Sequence, residues 1–337
     1  SSLPGPIRGC AVRERGGRRL LLTGAGLAAL LLAAALAGPA LLPHAPDTQL
    51  DPVAARHLPP GSARLLVTLA DGRTLAAERA APLPDGGLRL TRLGREQRLA
   101  ASELADAPVR PTRFLLGTDR FGRDLAARLL AGARVSLAVG LAAVAIALTL
   151  GIAAGSVAAL GGRWLDGVVM RVADAFLAFP RLFLALAAAA FLGPGLPTAI
   201  AVLAATGWMG VARLVRAELL SLEGREFAFA ARASGLPAGR IFLRHLLPNA
   251  LTPVFVDAAL RLGDTILIEA SLSFLGLGIQ PPQASWGNLI ADGRDALASA
   301  WWVAAFPGAA LVVAVLAFNL LGEGLRDALD PRRRRPC

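Results

Sequence analysis

The sequence predicts an all-α polytopic membrane protein with about six transmembrane helices and a small β-rich insert outside the bilayer. Three observations lead there. Hydrophobic residues make up 55% of the 337-residue chain, and the mean hydropathy of +0.56 exceeds that of ordinary soluble domains. These residues gather into nearly uncharged runs of about 20, the length that a hydrocarbon layer of roughly 30 Å asks of a helix. The basic residues lie mainly between the runs, and those flanking short loops fall on one side if the helices alternate.

The first run, 20–42, follows a basic arm (residues 1–19) carrying Arg8, Arg13, Arg15, Arg18 and Arg19. It is longer than the 7–15 apolar residues of a signal h-region and reads as an uncleaved N-terminal transmembrane helix. Ala35-Leu36-Ala37 resembles a cleavage site, so a cleaved signal peptide is the alternative. Residues 43–132 are polar and rich in proline and arginine, and are expected to be extracytoplasmic. Within them, Asp71-Gly72 between two strand-like stretches signals a type I′ hairpin. Further turns at Asp85-Gly86-Gly87 and Gly94-Arg95 complete a possible β module over 60–105; a loosely ordered loop is the plainer reading. Residues 124–134 read as a short amphipathic helix at the membrane surface.

Five more runs, 135–160, 168–192, 197–215, 251–274 and 301–321, form a core spanning 133–321, with Pro180 expected to kink the third span. Between the fourth and fifth spans lies a polar, helical segment, 216–249. Arg163, Arg213, Arg216, Arg225, Arg232, Arg240 and Arg244, together with Arg326 and Arg332 to Arg335 of the tail (322–337), share a side with the N-terminal arm. The opposite short loops carry only Arg294. Both termini are therefore expected in the cytoplasm. The arginine-rich 43–132 segment escapes the rule because long loops do.

Composition also excludes chemistry. All 35 Lys+Arg positions are arginine, so neither a P-loop lysine nor a Schiff-base lysine is present. The net charge of +11 sits between apolar runs, which fits anionic headgroups rather than nucleic acid. Cys10 and Cys337 lie at opposite ends without ligand spacing. His44, His57 and His245 are scattered, so no metal or cofactor site is expected, and no catalytic constellation stands at membrane depth.

Two constellations remain. Asp257, Arg261 and Asp264 are spaced to pair along one face of the fifth span, with Glu269 further on, and Arg171 and Asp174 are similarly placed in the third. Charges at this depth read either as a polar translocation pathway or as mutually paired structural charges. The second constellation is the polar loop. After Glu226, Ala230, Ala231 and Ala233 make a small-residue helical patch, Gly235 is placed to cap it, and Leu236-Pro237 stops it. A second short helix, about 238–246, is expected to end before Pro248. Two exposed helices about a glycine turn form either a docking element or a helical loop without a partner.

That loop resembles the EAA loop of ABC importer permeases, with Ala230-Ala231, Gly235 and Leu247-Pro248 at the recurring spacing and Phe229 where the family often has Glu. Leu116-Gly-Thr-Asp-Arg-Phe-Gly-Arg-Asp124, Gly132-Ala-Arg-Val-Ser-Leu137, Glu269-Ala-Ser-Leu-Ser-Phe-Leu-Gly-Leu-Gly278 and Trp286-Gly287 are similar to the dipeptide/oligopeptide/nickel permease family, its C-type subunit. The likeness covers most of 20–331 but says nothing about the β-rich stretch. It implies the type I ABC importer permease fold. It also implies a homologous second permease, two ATP-binding subunits holding ATP and Mg²⁺, and an extracytoplasmic solute-binding protein. Glu226, Ala230, Ala231, Arg232, Gly235, Arg240, Arg244, Leu247 and Pro248 would then couple ATP hydrolysis to the spans. Asp174, Asp257, Arg261, Asp264 and Glu269 are the candidate pathway residues. A gradient-driven transporter or channel is the competing reading; it needs no docking loop, and internal repeats are not evident.

Overall fold

Period-3.6 apolar runs with few helix breakers fold as helices here, and the alternating stretch between the first two folds as strands. The computed structural model describes residues 7–329; residues 1–6 and 330–337 and the side chains of 7–16, Pro39, Leu41 and Ala107 lie outside that description, and with them the side chains of Arg8, Cys10, Arg13 and Arg15, as well as Arg332 to Arg335 and Cys337. The helices are α1 (Ile7–Leu41), α2 (Leu125–Leu160), α3 (Gly162–Leu177), α4 (Arg181–Leu192), α5 (Leu196–Ala205), α6 (Trp208–Glu223), α7 (Glu226–Ala233), α8 (Ala238–Ile241), α9 (Leu247–Phe274), α10 (Trp286–Gly293) and α11 (Trp302–Leu329). The strands are β1 (Ala63–Leu69), β2 (Thr74–Ala77), β3 (Arg79–Pro82), β4 (Leu88–Arg92), β5 (Arg95–Leu99) and β6 (Leu104–Arg113). Two compact units result, one of Ser1–Leu31, Leu137–Leu272 and Val312–Cys337, the other of Leu32–Ser136 and Ser273–Leu311.

Four described stretches are long and apolar enough to cross a membrane: Gly17–Gly38, Leu125–Leu160, Leu196–Glu223 and Trp302–Leu329. The expected third span is more than kinked. Pro180 separates α3 from α4, and the pair is bent by 90°, giving a fifth crossing if counted as one span. Proline lacks the N–H that a continuing helix needs, and its ring crowds the preceding turn. The remaining segment, α9, has the length, but every 18-residue window of it contains Asp257, Arg261 and Asp264. In the first unit α1 packs on α11 through glycine. A Cβ on Gly24 would lie 2.4 Å from the Leu321 nitrogen, and one on Gly324 would lie 2.4 Å from Leu21 Cα, so this contact depends on bare backbone.

Residues 124–134 do not form a separate surface helix. From Leu125 they are the first turns of α2, where Leu125, Ala127 and Arg128 are buried. An aliphatic cluster of Leu125 with Ala300, Trp302 and Val303 holds them. The preceding loop is organised by Asp119, which is fully buried and accepts the N–H groups of Phe121 and Arg123 and the Arg123 guanidinium at 2.6 Å. Arg123 also reaches Asp292 of α10 at 3.4 Å, and Arg128 reaches Asp47 at 3.4 Å. Ser136 Oγ accepts the Trp286 N–H, and the Trp286 indole donates to the Leu129 carbonyl. The two sequence motifs around 116–137 and 269–287 thus meet through α2 and α10.

The β module is present and extends beyond 105, because β6 runs to Arg113 and pairs with β1. The strand expected after Asp71-Gly72 is β2; beyond Glu78 the chain continues as β3, which enters a different sheet, the two being ordered β2-β1-β6 and β3-β4-β5, all antiparallel. Val67, Ala77, Leu90 and Leu99 fill the space between the sheets. Leu66, Ala76 and Phe114 seal the other face of the first sheet against Leu50, Ala54, Ala55 and Leu58.

Asp51 fastens that segment. It is 1% exposed, accepts the N–H groups of Val53, Ala54 and Ala76, and is paired with Arg92 at 2.9 Å. Burial alone would raise its pKa, but the backbone hydrogen bonds from Ala76, Ala54 and Val53, with Arg92, outweigh it and hold the carboxyl below its ordinary 3.8. A carboxylate depressed in the folded state stabilises fully above its unfolded pKa, and this contribution fades as pH falls through the folded value. Asp51→Asn is expected to cost about 2–4 kcal/mol and to speed hydrogen exchange in Thr74–Ala77 at neutral pH. The difference from wild type should shrink below about pH 4; equal exchange at pH 7 would refute the assignment.

Candidate functional site

The polar loop begins where α6 ends at Glu223. Arg225 is extended, and α7 starts at Glu226, whose carboxylate in the first turn suits the positive end of the helix dipole. Ala228 faces inward and is fully buried against Leu219, Leu222, Ile241, Leu246, Ala250 and Val254. Ala231 and Leu236 pack partly on the same cluster. Phe229 (56% exposed) and Ala230, Arg232, Gly235, Arg240 and Arg244 face outward.

Gly235 does what its sequence position implies. Its φ is +74°; its N–H donates to the Arg232 carbonyl, and the Leu236 N–H reaches back to Ala231. These are the paired bonds of a Schellman cap, with Leu236 as its apolar anchor. Nothing lies within 4 Å of a Cβ placed on Gly235, so the demand for glycine is conformational rather than steric.

The second helix does not end before Pro248. After α8 the chain makes a π turn, Phe242–Leu246, in which the Leu247 N–H bonds to Phe242, five residues back. It then enters α9 with Pro248 in its first turn. The widened turn absorbs the ring and the missing donor of Pro248, so the helix axis continues where a regular α-helix would be disrupted. Leu247 is half-buried and Pro248 exposed.

The charges of the spans pair differently from the sequence expectation. Asp257 and Arg261 form an ion pair one turn apart. Asp264 instead takes Arg181 at 2.8 Å, and Arg181 also donates to the Leu203 carbonyl at 3.3 Å and Thr265 Oγ1 at 3.2 Å. Asp174 pairs with Arg213 at 2.6 Å rather than with Arg171, and Asp166 with Arg216. Glu269 is fully buried. The sequence reading missed Arg181, although its signal was present: a charge directly after Pro180 inside an apolar run. It also missed why glycine recurs at the start of α6. A Cβ on Gly210 would stand 2.6 Å from the Arg261 guanidinium, and one on Gly207 would stand 3.2 Å from that of Arg181.

Arg232 is engaged within the chain, bonded to Glu223 at 2.9 Å and lying 5.3 Å from the Phe229 ring centre. Arg240 and Arg244 have no acidic partner among the described residues. A groove of about 790 Å³ lies beside the loop, lined by Glu218, Arg225, Asn249, Thr252, Asp257 and Arg326 among others.

Two outcomes test this geometry. Gly235→Ala should destabilise the cap by about 1 kcal/mol and raise hydrogen exchange at the end of α7 about fivefold; unchanged exchange would mean that the positive φ is not adopted. Arg181→Leu should lower the thermal midpoint in detergent more than Asp264→Leu, because only the arginine also serves Leu203 and Thr265. The reverse order would reject that account.

The family described as binding-protein-dependent transport system inner membrane component matches residues 130–335. The chain is 46% identical over 218 residues to the dipeptide transport system permease protein DppC of Alkalihalophilus pseudofirmus, covering 65% of this chain and 72% of that protein. It is 44% identical over 220 residues to the di/tripeptide transport system permease protein DppC of Pseudomonas aeruginosa, covering 65% and 73%. Among solved structures, an inward-facing form of the MetNI methionine ABC transporter is similar, with a TM-score of 0.50 and 21% identity over 60% of this chain and 96% of that one. The chain belongs to the family of binding-protein-dependent transport system inner membrane components, and its helices have the fold of an ABC importer permease.

Proposed function

We propose that this permease carries dipeptides or related small solutes into the cell, coupled to ATP hydrolysis by partner subunits. Relatives named for dipeptide and di/tripeptide transport support the cargo class. The partners are a homologous second permease, two ATP-binding subunits that hold ATP and Mg²⁺, and an extracytoplasmic solute-binding protein. The chain lies in the bacterial inner membrane with both termini and the 224–248 loop in the cytoplasm, and residues 43–132 outside.

The observation that carries the coupling role is the loop itself. Its inner face is tied to α6 and α9 by a shared apolar cluster, while its outer face offers Phe229, Ala230, Arg240 and Arg244. A push on α7 therefore reaches α6 and α9 through packed side chains, and the continuous π turn leaves no slack between α8 and α9. Glu226, Ala230, Ala231 and Gly235 shape the docking surface, and Arg232 braces it through Glu223. Arg240 and Arg244 remain for carboxylates of the ATP-binding subunit. Leu247 and Pro248 join the loop to α9. Phe229 replaces the family's frequent Glu with an apolar contact. Asp174, Asp257, Arg261, Asp264 and Glu269 belong to the polar route along the spans, with Arg181 added to them.

Purification of the tagged chain from solubilised membranes, expressed with its neighbouring genes, tests this. An ATP-binding subunit and a second permease should accompany the wild type, and Gly235→Arg should lose the ATP-binding subunit while keeping the second permease. A chain that runs alone or as a homo-oligomer in both preparations would overturn the proposal in favour of a gradient-driven transporter.

A further inference from the structure

The β module lies outside the 130–335 stretch that the family matches, so the common permease core does not account for it. Its two sheets do not have equivalent surroundings. The first sheet is covered on both sides, by the second sheet and by residues 50–58. The second, β3-β4-β5, is covered on one side only.

The register sorts the residues of that sheet. Ala80, Leu90 and Gln97 lie in one row, and Leu90 is fully buried toward the first sheet. The neighbouring rows therefore point outward: Arg79, Thr91 and Glu96 in one, Ala81, Arg89 and Arg98 in the other. Arg79, Arg89 and Arg98 are all exposed. Arg89 and Arg98 are direct cross-strand partners, an arrangement of like charges that weakens a sheet. No ion pair among the described residues relieves it. The module's arginine ion pairs are Arg73 with Asp71 and Arg92 with Asp51, and none of the three outward arginines is in an ion pair among the described residues. The face holds three cations and one carboxylate, Glu96.

The same face is rigidly mounted. Asp51 joins the second sheet, through Arg92, to the first, through the Ala76 N–H. Thr118 Oγ1 accepts the Leu58 N–H and donates to the Ala55 carbonyl, and Asp119 and Arg123 carry the connection to Asp292 of α10. A preformed face loses little freedom on docking.

We infer that the outward face of β3-β4-β5 is a docking surface for an acidic patch on the importer's solute-binding protein, with Arg79, Arg89 and Arg98 as its contacts. This rests on the importer reading and on the extracytoplasmic placement of residues 43–132. A lipid surface fits the face less well. Its uncharged members are Ala81 and Thr91, with no large apolar side chain to enter the headgroup boundary. Complementary charge of this kind steers encounter and fixes register.

The test uses the assembled importer in nanodiscs of phosphatidylcholine and the purified, substrate-loaded solute-binding protein encoded with it. The reading is the concentration of binding protein that half-maximally stimulates ATPase activity. The triple variant Arg79→Glu, Arg89→Glu, Arg98→Glu should raise that concentration at least ~10-fold and abolish its dependence on salt. An unchanged maximal rate at saturation would show that the variant folds and couples. The corresponding triple glutamine variant should give an intermediate shift. The same half-maximal concentration in wild type and variant overturns this inference alone. So does a variant whose only defect is weaker binding to vesicles containing phosphatidylglycerol. No stimulation of the wild type by the binding protein overturns the importer reading itself, and this inference with it.

Discussion

Charge carried on a long, largely apolar helix is the constraint on which the helical unit depends. An ionised side chain in hydrocarbon is tolerated only when paired or facing water, and α9 carries four such residues within 13 positions, from Asp257 to Glu269. Asp257 and Arg261 pair with each other within α9, and Asp264 is answered from another helix. Pro180 separates α3 from α4 and places Arg181 in the first turn of α4, where its guanidinium meets Asp264 and the Leu203 carbonyl near the end of α5. Gly207 and Gly210 keep the start of α6 bare, so that Arg181 and Arg261 approach its backbone. The 90° bend, the α5–α6 break and the two glycines are parts of one arrangement that answers Asp264 and leaves room for Arg181 and Arg261.

The second unit uses buried charge for a different end. Asp119, Arg123, Arg128 and Asp292 are drawn from a loop, from α2 and from α10, and each would be costly alone in the interior. Together they fix the approach to α2. On Asp292 the effect of burial prevails over its arginines, and its pKa is raised. The same cluster connects through Thr118 to residues 55–58 and so to the sheets. The β module is consequently a mounted body, and an exposed face on it has a defined direction within its unit.

The 224–248 loop was the part of the candidate site most legible in the sequence, because its conformation is set locally. A Schellman cap needs only glycine at one position and an apolar residue after it, and both are visible in Gly235-Leu236. The continuation through Pro248 was not legible. A proline normally marks a boundary, and the π turn that accommodates it arises because Ile241, Leu246 and Ala250 are held by one apolar cluster with α6. The Asp257–Arg261 pair was legible from its spacing; the partners of Asp264 and Asp174 were not, for a related reason. Spacing along one helix suggested Arg261 with Asp264 and Arg171 with Asp174, whereas Arg181 and Arg213 come from other helices.

By itself the sequence determined that the chain is built of membrane-length helices, that turns fall at Asp71-Gly72 and Asp85-Gly86-Gly87, and that α7 is capped at Gly235. All of these follow from hydrophobic period, turn chemistry and backbone conformation within a few residues. Strands between the first two helices were one of two readings left open, and the third turn falls one residue earlier than expected, at Leu93-Gly94, with Arg95 opening β5. Only the tertiary structure decided that β2 and β3 part at Glu78 into separate sheets, that 124–134 joins α2, and that Arg181 answers Asp264 and Arg213 answers Asp174. Those outcomes depend on which surfaces meet across long separations in the chain, and neither periodicity nor spacing encodes that.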